Sequence, residues 1–218
     1  MKKLLLLLLT FNVYAADNSI SVEQIGTDNI VTIRQGDPLG SVGTANTIDL
    51  RVYGGINKLK INQGTDLAGN GSGFDTGGHS LYSIISGTNN NLTTVQQNTT
   101  FSSVGQYLTT NITGNNNSQS FVQLGAGGHA ITATVTGDNN TLTAQQSGTG
   151  AHALTVTEFG NYNDALINQL GNTKNTATIN LTNAGAPASI TLNQSGGQTY
   201  SIDRICNSTC GRVMVNQQ

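Results

Sequence analysis

The stretch Asn18-Ser-Ile-Ser-Val-Glu-Gln24-Ile-Gly26-Thr-Asp-Asn29-Ile-Val31-Thr-Ile-Arg-Gln35 contains a frame that the rest of the chain repeats. With its first residue counted as zero, Gln falls at +6, Gly at +8, Asn at +11, a small or apolar residue at +13 and Gln at +17. Eight copies can be laid down, starting at Asn18, Asn46, His79, Gln106, His129, His152, Ala177 and Tyr200. Position +17 is Gln in all of them: Gln35, Gln63, Gln96, Gln123, Gln146, Gln169, Gln194 and Gln217. Position +8 is Gly in seven (Gly26, Gly54, Gly87, Gly114, Gly137, Gly160, Gly185), and +11 is Asn in six (Asn29, Asn57, Asn90, Asn117, Asn140, Asn163). A repeat of this length signals one supersecondary unit stacked on its neighbours.

Within a unit the apolar residues alternate, as in Ile131, Ala133, Val135 and then Leu142, Ala144. Period two on both sides of a Gly and Asn cluster reads as strand, tight turn, strand. Gly at +8 supplies the turn with backbone angles that a side chain would resist, and Asn or Asp beside it tolerates the left-handed region. This phase turns the +6 Gln, the +11 Asn and the +17 Gln inward, among the aliphatics. A buried amide without a partner is costly. Stacked on an identical amide about 4.8 Å away, each one donates to one neighbour and accepts from the other. The fold class expected is therefore all-β: a β-solenoid of two parallel sheets, one strand-turn-strand coil per repeat. Residues 36–45 and 64–78 read as loop insertions between coils.

Composition agrees. Charged residues are 9% of the 218, aromatics 5%, Trp is absent and Gly numbers 27, against roughly 25% charged in ordinary soluble domains. Gly, Asn, Thr and Ser are weak helix formers, which excludes a helical bundle. No basic cluster suited to phosphates occurs, so nucleic acid is not an expected partner. Lys2 and Lys3 followed by the apolar run Leu4–Val13 and Val13-Tyr14-Ala15 read as a signal peptide over residues 1–15, too short to span a bilayer. The expected product is an exported domain over residues 16–218, extracellular or at the cell surface, without direct membrane insertion.

The frame resembles the curlin repeat, Ser-x5-Gln-x-Gly-x2-Asn-x-Ala-x3-Gln, of the major and minor subunits of bacterial curli. Here it reads Asn18-x5-Gln24-x-Gly26-x2-Asn29-x-Val31-x3-Gln35, and the phase runs from residue 18 to 217. The resemblance implies a secreted β-solenoid that stacks head to tail into a homopolymer, a pilus-like functional amyloid fibre for cell adhesion and biofilm. It also implies a nucleator subunit and an export pore as partners, with no enzyme activity and no cofactor. The chain departs from the pattern at +6, which reads Gln24 and then Val52, Ile85, Ile112, Val135, Glu158, Asn183 and Cys206, and no copy starts with Ser.

Other constellations are sparse. His79, His129 and His152 share position zero without a recurring Cys or carboxylate, so corner residues are a better reading than a metal site. Cys206 and Cys210 bracket a turn and, in an exported chain, read as a local disulfide. No Ser-His-Asp arrangement can be assembled, and neither catalytic nor metal-binding residues are expected. Outward positions +3 and +5 are Thr109/Asn111, Thr132/Thr134, Thr155/Thr157 and Asn180/Thr182. That pattern supports an alternative, a monomeric solenoid binding ice through Thr-x-Thr faces. A surface- or sugar-binding fibre component is a third reading.

Overall fold

The computed structural model describes residues 18–36, 45–64, 77–99, 104–183, 186–208 and 210–218. The expected signal peptide, most of both loop insertions and Gly185 lie outside the described residues. Among the described residues, sixteen strands form two parallel eight-stranded sheets. The first contains β1 (Ser19–Ile25), β3 (Thr47–Tyr53), β5 (Ser80–Ser86), β7 (Tyr107–Thr113), β9 (Ala130–Thr136), β11 (Ala153–Phe159), β13 (Thr176–Asn183) and β15 (Thr199–Cys206), in that order. The second contains, in the same order along the axis, β2 (Ile30–Gln35), β4 (Lys58–Gln63), β6 (Asn91–Gln97), β8 (Ser118–Leu124), β10 (Thr141–Ser147), β12 (Asp164–Leu170), β14 (Ser189–Gln194) and β16 (Arg212–Gln217). Each odd strand and the even strand after it make one coil, so the chain is the β-solenoid its periodicity predicts.

Alternation decides which side chains are inside. In β9 Ile131, Ala133 and Val135 are buried, and in β10 Leu142, Ala144 and Gln146 are buried. The hydrophobic core runs unbroken from Val31 to Cys206. Its largest fully buried side chain, Phe121, stands in a column between Thr94 and Ala144, small neighbours that leave it room. Repeats three and four also bury Ser83, Thr94, Thr110 and Gln119, whose side-chain polar atoms have no hydrogen-bond partner.

The register corrects the sequence frame at its end. Thr176 pairs with Ala153 and Thr199 with Thr176, so Asn175 and Gln198, not Ala177 and Tyr200, hold position zero in coils seven and eight. The two extra residues in each of these coils sit in the turns, after Asn183 and after Cys206, and Ala177 and Tyr200 lie inside β13 and β15. Position +6 is accordingly Leu181 and Arg204, in line with Glu158, rather than Asn183 and Cys206.

Turns stack as closely as strands. At Gly137 φ is +122°, and a Cβ there would lie 2.1 Å from the carbonyl oxygen of Gly160 in the next coil. A second left-handed position follows at +10, where Asp28, Asn89, Asn116 and Asn139 are joined by Ile56 and Tyr162. Substitution Gly137→Ala therefore combines backbone strain, on the order of 1–3 kcal/mol, with a clash that only separation of coils five and six relieves. Urea denaturation of the freshly dissolved monomer should show a loss of at least ~2 kcal/mol, whereas Asn139→Gly at the neighbouring left-handed position should stay within about 1 kcal/mol of the parent.

Candidate functional site

The +17 glutamines form one continuous internal ladder. Each Nε2 donates to the next Oε1, from Gln35 to Gln63 (2.7 Å), Gln96 (2.9 Å), Gln123 (3.0 Å), Gln146 (3.0 Å), Gln169 (2.8 Å), Gln194 (3.0 Å) and Gln217 (2.9 Å). The second proton of the same nitrogen goes to the first strand of its own coil. Gln63 donates to Thr47 O, Gln123 to Tyr107 O, Gln146 to Ala130 O and Gln169 to Ala153 O at 2.9–3.1 Å. One side chain thus ties neighbouring coils together and closes the coil it belongs to.

The +11 asparagines do the same for the turns. Oδ1 of Asn29 accepts from Asn57 N (2.9 Å), and its Nδ2 donates to Gly54 O (2.9 Å). The pattern repeats at Asn57, Asn90, Asn117 and Asn140, with Nδ2 donating to Gly87, Gly114, Gly137 and Gly160 at 2.7–3.0 Å. It ends at Asn163, whose Oδ1 accepts from Ala188 N at 3.2 Å.

A third column, at position zero, was not anticipated as a ladder. Asn18 and Asn46 accept from the backbone N–H of the next coil through Oδ1, and His79, His129 and His152 accept through Nδ1. His129 and His152 stack at 4.9 Å. Their Nε2 atoms lie 3.0 Å from Leu124 O and Ser147 O, which with an accepting Nδ1 requires the neutral tautomer protonated at Nε2. Burial, aided by the neighbouring His152, lowers His129 to about 4, and burial lowers His152 as well. These rings serve as stacked backbone acceptors, with both nitrogens in use.

Glu158 is the exception inside. It is fully buried in the +6 column between Val135 and Leu181, and neither carboxyl oxygen has a hydrogen-bond partner. Burial, with the Asp164 charge adding to it, pushes its carboxyl up to about 8.

The two ends are unlike. At the first coil, Gln24 has both amide atoms buried and unpartnered, and Oε1 of Gln35 is a buried acceptor with no donor. At the last, Arg204 Nη1 donates to Ser189 O (3.3 Å) and Nη2 to Gly211 O. The Cys206–Cys210 disulfide is formed across the longer final turn. Ile25 and Ile30 at one end and Ile205 and Met214 at the other are more than half exposed.

No protein-family model matches this chain, and neither a curated protein nor a solved structure matches it.

Glu158 binds its proton more tightly folded than unfolded, so its contribution is fully present below about 4.5 and is lost as pH rises to about 8. Between about pH 5 and 8 Glu158 lowers stability by roughly 1.4 kcal/mol per unit, a fall that His129 and His152, still partly protonated in the unfolded chain at about pH 6.5, offset in part until they are neutral in both states. Urea titrations of monomeric Glu158→Leu at pH 6.5 and 8 should show that slope abolished and a more stable protein at pH 8; an unchanged slope would place the dependence elsewhere.

Proposed function

We propose that this chain is an exported structural subunit that stacks end to end into a curli-like functional amyloid fibre serving adhesion and biofilm matrix. The observation that carries this reading is the polarity of the glutamine ladder. All links run the same way, so coil one retains a buried Oε1 on Gln35 without a donor, while Gln217 ends the run as an acceptor whose own Nε2 has no further coil to receive it.

A copy stacked on another in the register shared by the interior coils joins Gln217 to Gln35. The same placement aligns Tyr200 with Ile20, Ile202 with Val22, Val213 with Val31 and Val215 with Ile33, of which all but the buried Val31 and Ile33 are half-buried at the ends. Bare sheet edges of this kind template further strands unless charge or a cap blocks them. The resemblance to the curlin repeat points the same way and brings with it a nucleator subunit and an export pore as proposed partners.

The mature chain, residues 16–218, incubated unseeded at neutral pH should become thioflavin-positive and give fibres with reflections near ~4.7 and ~10 Å. Gln35→Leu should retain a folded monomer yet elongate several-fold more slowly. A wild-type chain that stays a stable monomer overturns the proposal.

One observation favours a second reading, an ice-binding face. In the corrected register Thr109, Thr132, Thr155 and Thr178 form one outward column and Asn111, Thr134, Thr157 and Asn180 the next, an uncharged array of hydroxyl and methyl groups at two fixed spacings. If it binds ice, the monomer should inhibit recrystallisation and Thr134→Lys should abolish the effect; no inhibition by the parent removes this reading.

A further inference from the structure

We propose that Arg204 sets the polarity and register of the end-to-end joint by donating to the Gln24 amide of the next copy. This rests on the stacking read above and names the contact that would make it specific.

The argument begins with the +6 column, which runs Gln24, Val52, Ile85, Ile112, Val135, Glu158, Leu181, Arg204. Aliphatic side chains fill it except at three places, and two of those are the terminal coils. Gln24 is the first. Its Oε1 and Nε2 are both buried with no hydrogen-bond partner, a state that a folded protein avoids unless a further group completes it. Nothing in the same column can do so, because its neighbour is Val52.

Arg204 is the last. Its guanidinium is anchored on two carbonyls, Ser189 O of coil seven and Gly211 O of its own coil. A guanidinium has five N–H groups, so donors remain after both contacts. Anchored this way the head group bridges coils seven and eight near the turn that leads into β16. The next coil in that column is coil one of another copy, and there Arg204 meets Gln24. A charged donor to an amide oxygen is stronger than an amide-amide contact, and it satisfies an atom the monomer leaves without a partner.

The pair also rejects wrong joints. Two C-terminal ends brought together oppose two guanidinia. A slip of two residues places the cation against Val22 or at the Gly26 turn, where it is covered and unpaired. A slip of one turns it to the outer face and exposes the apolar columns. The one unfavourable neighbour at the correct joint is the outward pair Asp203 and Glu23. Both are exposed, and Arg51 lies 4.0 Å from Glu23 and 3.6 Å from Asp49.

The test is fibre growth by each mature chain alone, followed by thioflavin fluorescence and pelleting, with monomer folding checked by circular dichroism and thermal unfolding. Gln24→Arg should slow growth more than roughly tenfold by opposing two cations. Adding Arg204→Gln to it, which exchanges the two side chains across the joint, should bring growth back to within about threefold of the parent, as expected when the coupling between the two sites outweighs each single change. Gln24→Glu should accelerate growth and make it salt-sensitive. Folded Gln24→Arg monomers that grow like the parent, or an exchange that fails to restore growth, overturn the assignment while leaving end-to-end stacking intact. A parent that never forms fibres overturns both.

Discussion

Everything in this structure depends on a single requirement: an amide buried in an apolar interior must find a donor and an acceptor. The +17 glutamine meets it by repetition. Its oxygen accepts from the copy on one side, one proton goes to the copy on the other, and the second proton goes to the facing strand of its own coil. Each of these contacts exists only if the neighbouring coil is in register and the coil itself is closed. The amide therefore specifies the fold more sharply than the aliphatic core, which would tolerate a slip of two residues. Dispersion and burial hold the coils together; the ladder says where.

The same requirement explains what could be read in the sequence. Gln at +17 is legible because the ladder needs identical chemistry in every coil, and the Asn at +11 because it must reach the backbone of the next turn. Alternation in strands such as β9 and β10 gave their inward faces directly. The frame failed where the spacing between ladder and strand changed. Counting back seventeen from Gln194 lands on Ala177, but coils seven and eight carry two extra turn residues, so position zero is Asn175 and Gln198. A fixed count has no means of locating an insertion inside the unit. The histidines were legible in position but not in role, since their common place at zero becomes meaningful only once a backbone N–H is seen to point at each Nδ1. Ile56 in the left-handed region carries no local signal at all; it is held there by the turns stacked against it.

The interior is not uniformly satisfied, and the exceptions fall into two kinds. Ser83, Thr94, Thr110 and Gln119 are buried in the middle of the solenoid, where the next coil on either side is already present and, apart from Ser83 and Thr110 standing beside each other, offers apolar neighbours. Their polar atoms burden the monomer and any assembly alike. Glu158 belongs with them: between Val135 and Leu181 it stays neutral because no environment along the axis would receive its charge. Gln24 and Gln35 differ because they lie in the first described coil, which has a neighbouring coil on one side only among the described residues.

That distinction bears on how a repetitive protein ends. A solenoid whose every coil is alike has no internal reason to stop, and a monomeric one needs a coil that breaks the pattern at both ends. Here the last two coils carry several such breaks: Ala188 closes the asparagine ladder, the turns lengthen, a disulfide ties the last of them, and Arg204 replaces an aliphatic side chain. The first coil breaks nothing. It keeps the full set of Gln24, Gly26, Asn29 and Gln35, with the amides of Gln24 and Gln35 partly unpaired. For the end-to-end stacking proposed above, unlike ends would give addition a direction, because two capped ends give a monomer and two open ends give no preferred direction. The departures from the repeat in coils seven and eight therefore read as the complement of the conformity of coil one rather than as decay of the pattern.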